Sequence, residues 1–136
     1  MLKKKVNFAL VPLVQRKADE LIALAASKGM PIRITEASRS KERQDELYAQ
    51  GRTKPGNIVT NAKGGESIHQ YKCAFDVVFT KTGYEGDWDT LGALGKSIGL
   101  EWGGDWKFKD RPHFQMTLGY TLADFQKNDI DWNKFA

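Results

Sequence analysis

The sequence predicts an α+β domain in which a mostly antiparallel sheet is flanked by helices. Three observations carry that expectation: apolar residues at helical spacing near the N-terminus, short segments further on that alternate with period two, and a mixed order of helix and strand in place of a regular parallel-sheet series.

From Pro12 to Lys28 the apolar residues Val14, Ala18, Leu21, Ile22 and Ala25 keep a helical period, and Gly29 with Pro31 supplies the stop, so this helix buries one face. IRITEA, from Ile32 to Ala37, alternates and is rich in β-branched residues, as a strand requires. Ser40 can cap a second helix running to about Gln50, with Gly51 as its terminator. Residues 51–66, GRTKPGNIVTNAKGGE, are dense in glycine and polar groups and form a long surface loop, of a kind that often carries function in a small domain. In CAFDVVFT, Cys73, Phe75, Val77 and Phe79 share the core face, while Ala74, Asp76 and Val78 share the other. Asp87 caps a helix that runs through Ile98 and stops at Gly99, although Gly92 and Gly95 each cost it about 1 kcal/mol relative to alanine. A last strand, PHFQM, sends Phe114 and Met116 to the core and His113 with Gln115 to the opposite face.

Bulk properties narrow the function classes. A chain of 136 residues, 40% apolar, suits one core and not two, so residues 1–136 are expected to form a single domain. The lone cysteine, Cys73, leaves no internal disulfide and no zinc finger. The N-terminal MLKKKVNFALVPLVQRKADE has a basic region and an apolar run of about nine residues. Pro12, the missing small-residue cleavage site and the polar continuation make it mature protein and not a signal peptide. No stretch approaches the roughly 18 apolar residues of a bilayer span, so a soluble monomer without stable membrane insertion is expected. The net charge of +4 is compatible with nucleic acid, lipid headgroups or bacterial wall as surroundings. Apart from Lys3, Lys4 and Lys5, though, the cations are interspersed with acids, as on an ordinary solvated surface.

The two histidines are more informative. His69 ends the glycine-rich loop, Asp76 lies on the non-core face of one strand and His113 on the equivalent face of another. Two histidines and a carboxylate make a three-ligand set, the count of a catalytic zinc site whose fourth position is open to water. Such an ion lowers the water pKa from about 15.7 to about 7. Asp110 lies in the turn entering the last strand, because Pro112 disfavours helix at Arg111. A carboxylate there could reach the activated water without being a ligand. Arg39, at the strand-to-helix turn, offers a fixed fork of donors for a substrate carbonyl or carboxylate, or else pairs with Glu36 or Glu42. Cys73 points to the core and is excluded as a nucleophile by its parity with Phe75 and Val77. Trp102 and Trp106, beside Lys107 and Lys109, carry no recognised nucleic-acid motif and are assigned to the core or the wall of a cleft, Trp106 with a substrate contact.

The pattern S-x-H at Ser67 to His69, an aspartate seven residues after the histidine, and D-x-x-H at Asp110 to His113 resembles the zinc peptidases of bacterial cell walls. These include D-alanyl-D-alanine carboxypeptidases, vancomycin-resistance dipeptidases and phage L-alanyl-D-glutamate endopeptidases, and they share a fold with the Hedgehog signalling domain. SRSKERQDELYAQGRTKPGNIVT and GGDWKFKDRPHFQ are similar to segments of the phage and wall-remodelling branch, and the resemblance runs from about Pro12 to Met116. It implies that His69, Asp76 and His113 bind Zn2+, that Asp110 is the general base, that Arg39 polarises the substrate and that Ser67 supports the site by hydrogen bonding. The implied protein is a phage endolysin that cleaves the L-alanyl-D-glutamate bond of peptidoglycan stem peptides. It would stay in the host cytoplasm until released to the wall and would have no separate cell-wall-binding domain. A bacterial D-alanyl-D-alanine carboxypeptidase is the alternative within the same chemistry. A non-catalytic zinc-stabilised wall-binding module is the alternative outside it, disfavoured because a structural zinc has no use for a base. The sequence departs from the family at Lys72, where glycine is usual.

Overall fold

Helix α1 (Pro12–Ser27) begins with proline at its first turn and buries Val14, Ala18, Leu21 and Ala25, which lie on one stripe. The structure is a computed structural model that describes residues 9–60, 62–65 and 67–136. The lysine cluster at positions 3 to 5 lies outside the described residues. After α1 come β1 (Ile32–Glu36), α2 (Lys41–Ala49), β2 (Ala74–Phe79), α3 (Trp88–Ser97), β3 (Glu101–Trp102), β4 (His113–Gln115) and α4 (Leu122–Gln126). The caps fall where the sequence places them. Ser40 accepts from Arg43 N–H at the start of α2, Asp87 accepts from Thr90 N–H at the start of α3, and Gly29, Gly51 and Gly99 take positive φ after the three longer helices.

The four strands form one antiparallel sheet in the order β1-β2-β4-β3. Its core face carries Phe75, Val77, Phe79 and Phe114, which join α1 and α3 residues in one buried cluster, with the Phe75 and Phe114 rings stacked 5.9 Å apart. The α3 glycines have a packing reason. A Cβ on Gly92 would come within 2.4 Å of the Trp102 ring, and one on Gly95 within 2.5 Å of Phe114. Contact between the helix and the sheet offsets the helix propensity lost at both positions.

The second face of the sheet carries Asp76 and His113. It is not a solvated face, since Ala74 and Val78 on it are buried along with the core-facing residues. In register, Asp76 stands opposite His113 on one side and Glu36 on the other, and the β1 register slips between Ile34 and Glu36. The loop over residues 51–66 contains no helix or strand among its described residues but is tied to α2. Buried Gln44 donates to Ala62 O at 2.7 Å, and Asp45 accepts from Gly64 N–H at 2.7 Å. These bonds bring Val59, Thr60 and Ala62 over the sheet as one wall of a cleft.

Two further segments depend on distant contacts that periodicity does not reveal. β3 has two residues and exists by pairing with β4. The C-terminal segment packs Phe125 and Phe135 into the core beside Tyr120, and Arg16 donates to the Ala136 carbonyl at 2.7 Å.

Candidate metal centre and active-site cleft

His69 does not sit in the loop itself but in a 3-10 turn, Ile68–Tyr71, that closes it. Ser67 caps the turn: its hydroxyl accepts from His69 N–H at 3.3 Å while Gln70 reaches back to the Ser67 N–H at 2.9 Å. The backbone of Arg39 also donates to His69 O at 3.1 Å. The backbone of His69 is thus held from both sides, and the imidazole Nδ1–H donates to the Ala37 carbonyl at 2.8 Å. A carbonyl can only accept, so the proton is on Nδ1 and Nε2 presents a lone pair. On β4, His113 Nε2–H donates to Gln115 Oε1 at 2.7 Å, which leaves the lone pair on Nδ1.

These two lone pairs converge. His69 Nε2 and His113 Nδ1 are 3.2 Å apart, and Asp76 Oδ1 lies 3.4 Å from each. Asp76 Oδ1 is the one buried side-chain polar atom among the described residues that has no hydrogen-bond partner. Three acceptors so close repel one another unless a cation lies between them. Zn2+ at 2.0–2.1 Å from tetrahedral ligands places those ligands about 3.3 Å apart, the spacing found here. The donor set and its geometry therefore fit the metal. Burial opposes charge on Asp76, but its contacts with His113 and His69 hold the carboxyl far below the usual carboxylate range. Burial likewise opposes charge on His113, and the Asp76 carboxylate outweighs it and raises the ring's pKa.

A cleft of about 590 Å3 opens over this triad, and Glu36, Arg39, Ser67, Tyr84, Trp106 and Asp110 are among its walls. Asp110 Oδ2 lies 3.9 Å from His113 Nδ1, beside the triad and not within it. Its backbone N–H donates to Gly103 O at 2.9 Å and its carbonyl accepts from His113 N–H at 3.1 Å. Gly103 packs so tightly that a Cβ would come within 2.3 Å of Asp110 O. Burial and then the Asp76 charge push the Asp110 carboxyl upward, with His113, His69 and Arg39 pulling the other way. Trp106 stands over the site with its ring centre 4.9 Å from that of His113, whereas Trp102 is a core residue whose indole N–H donates to Arg111 O at 2.8 Å. The two tryptophans do not form a shared stacking surface.

Arg39 lines the cleft but is already committed. Its Nε and Nη2 donate to the two Glu36 carboxylate oxygens at 2.8 and 2.6 Å, its Nη1 donates to Gln44 at 2.7 Å, and Nη2 is 3.7 Å from Asp76 Oδ2. The Glu36 pairing that the sequence leaves open is thus present. Cys73 is buried and its thiol is pushed up to about 12 by burial, which removes it as a nucleophile at neutral pH.

The sequence profile of the family described as D-alanyl-D-alanine carboxypeptidase, among the M15 peptidases, matches residues 60–116. The chain is 49% identical over 120 residues to the peptidoglycan L-alanyl-D-glutamate endopeptidase CwlK of Bacillus subtilis, covering 77% of this chain and 72% of that protein. The chain belongs to the M15 peptidases. It is 33% identical over 121 residues to the L-alanyl-D-glutamate peptidase of a Listeria phage, covering 81% of this chain and 39% of that one. The fold is shared with the vancomycin-resistance D,D-pentapeptidase VanY, solved in complex with Zn(II), at a TM-score of 0.64 and 15% identity over 99% of this chain and 88% of that one.

For this M15 peptidase, reading the sequence residue by residue misses part of what supports the triad. Strand parity puts Gln115 on the His113 face but gives it no role, although its i, i+2 position on the strand is the available signal. Ala37, Gln44 and Glu101 carry no signal, because a backbone acceptor or a cross-strand partner is visible only once the chain is folded. At the position where the peptidase departs from its family, Lys72 has φ 63° and ψ 27° and ends the turn that carries His69. Lys72 does not line the cleft. Left-handed backbone costs a non-glycine residue about 1–2 kcal/mol, and glycine loses about 0.4–1 kcal/mol through the freer unfolded chain. Lys72→Gly should therefore stabilise the protein by roughly 0.5–1 kcal/mol and raise the melting temperature by about 2–4 °C, with activity level or higher. A lower melting temperature, measured by calorimetry, would show that the lysine side chain contributes more than the strain costs.

Proposed function

We propose that this chain is a zinc-dependent peptidoglycan hydrolase that cuts the L-alanyl-D-glutamate bond of stem peptides. The observation that carries the reading is the convergence of His69 Nε2, Asp76 Oδ1 and His113 Nδ1, three acceptors with no donor among them, at the floor of a cleft that also holds Asp110. His69, Asp76 and His113 would hold the ion. Zinc, when bound, supplies a Lewis acid for the scissile carbonyl and brings water toward ionisation at neutral pH. Asp110, with its carboxyl raised and its backbone pinned to Gly103, takes the proton of the attacking water and delivers it to the leaving nitrogen. Trp106 forms an apolar wall for the peptide, and Val59 also lines the cleft. Ser67 acts through the His69 backbone. Arg39 has five N–H groups, of which three are taken, so a substrate carbonyl would use those that Glu36 and Gln44 leave over.

The bond assignment is supported by two relatives, a bacterial and a phage enzyme that both bear the L-alanyl-D-glutamate activity in their names. A carboxypeptidase must hold a terminal carboxylate. Arg39 is the one Lys or Arg among the described residues lining this cleft, and Glu36 already neutralises it. That favours an internal bond. A phage lytic role has the Listeria phage peptidase behind it, and in that setting the protein would meet peptidoglycan after release from the host cytoplasm. Residues 1–136 would act as one catalytic domain.

Mass spectrometry of digested peptidoglycan tests the assignment. Glycan strands ending in free L-alanine, together with released peptides that begin with D-glutamate, are expected. Loss of a single terminal D-alanine would move the protein to the carboxypeptidase branch.

A further inference from the structure

Glu101 and Gln115 face each other across the β3–β4 pair, and their contacts run in one direction toward the metal centre. Glu101 Oε2 accepts from the backbone N–H and the hydroxyl of Thr117, at 3.1 and 2.7 Å, and Oε1 accepts from Gln115 Nε2 at 3.3 Å. A carboxylate offers acceptors only, so it turns the Gln115 amide with its NH2 toward Glu101 and its oxygen toward His113. That oxygen accepts from His113 Nε2–H at 2.7 Å. Thr117 and Gln115 are both buried, so the Gln115 amide and the Thr117 donors meet protein groups, while Glu101 reaches them from an exposed position on β3.

We infer that Glu101 is a positioning residue for the metal centre: through the Gln115 amide it dictates which nitrogen of His113 carries the proton and so keeps Nδ1 bare to bind zinc. The inference rests on the reading of His113 as a ligand. Neutral imidazole has two tautomers, and the second would put an N–H on the atom that faces Asp76 and His69. The two ligating histidines are thus fixed by different means. His69 is locked by a backbone carbonyl that no substitution at Ala37 removes, whereas His113 depends on two side chains in series. The second arrangement is the one that mutation can reverse.

In Glu101→Gln, the new amide keeps its oxygen on the two Thr117 donors and presents NH2 to Gln115. The Gln115 amide must then flip, its own NH2 meets His113 Nε2, and the ring proton moves to Nδ1. Zinc affinity, measured by competition with a chromophoric chelator, should fall by about 10- to 100-fold, the usual effect of removing an outer-shell partner. In the metal-free protein at alkaline pH, the ring 15N shifts of His113 should change from the Nε2–H to the Nδ1–H pattern. The double variant Glu101→Gln/Gln115→Glu rebuilds the chain with its members exchanged. The carboxylate now at position 115 accepts both from His113 Nε2–H and from the amide at position 101, whose oxygen stays on Thr117. Affinity should return to within a few-fold of the parent protein. If Glu101 only braces β3 against Thr117, the amide oxygen of Glu101→Gln keeps that brace, zinc affinity stays at the parent value and the His113 tautomer does not change, which overturns the inference. His113→Ala is measured alongside. Zinc binding unaffected by that substitution would remove His113 from the ligand set, while the tautomer in Glu101→Gln still decides whether the relay exists.

Discussion

His113→Ala should purify with almost no metal and with no measurable hydrolysis of peptidoglycan, against about one zinc per chain in the parent protein. The expectation follows from how little else could take the ligand's place. His69 and Asp76 would remain as two ligands, and the next carboxylate, Asp110, is held to one side by its backbone bonds to Gly103 and His113. The fold should survive, because β4 is anchored to the core by Phe114 on the face opposite His113 and is paired on both edges. Elemental analysis after dialysis reads the metal, and circular dichroism checks the fold. Full lytic activity in metal-free protein would end the zinc mechanism, and zinc retained in a folded His113→Ala protein would end the ligand assignment.

Much of the centre is legible in the sequence because strands obey a period of two. Once Phe114 and Met116 are assigned to the core, His113 has to lie on the other face, and the parity of Phe75 and Val77 does the same for Asp76. The structure adds that these two faces are one, since Asp76 and His113 are directly opposed across β2 and β4. His69 belongs to a different case. It is legible from its motif, but its 3-10 turn depends on Ser67 and Gln70 closing a capping box over four residues, too short a segment for periodicity to show. Pairing across distance is the least legible. β3 takes its conformation from β4, and Glu101 gains its role from Gln115 and Thr117, 14 and 16 residues further along the chain. Helix α3 shows the opposite relation. Its glycines weaken it in local propensity, and they are the residues that allow the close contacts with Trp102 and Phe114.

Asp110→Ala should keep its zinc and lose about 10²-fold or more in kcat/KM, because general-base assistance is typically worth 10²–10⁴. Asp110 is outside the triangle of convergent acceptors, so the metal should not notice its removal. Its carboxylate lies close enough to the triad to meet a water held there, 3.9 Å from His113 Nδ1, yet half of its side chain remains open to the cleft. That position suits a group that must collect a proton and hand it on. Burial and the Asp76 charge raise its pKa, which makes the carboxylate a better proton acceptor, and activity should fall as the pH drops below that pKa. Asp110→Asn keeps the shape and the backbone anchors and should lose the same activity together with that acidic limb of the pH–rate profile. Zinc lost from either variant would make Asp110 a ligand or a structural support. Zinc retained with an unchanged rate would mean that another group accepts the proton, and of the carboxylates lining the cleft among the described residues only Glu36 would remain outside the triad, paired with Arg39. A measured Glu36→Gln rate beside the Asp110 variants therefore separates the two candidates: the larger loss identifies the base, and on the present geometry it belongs to Asp110.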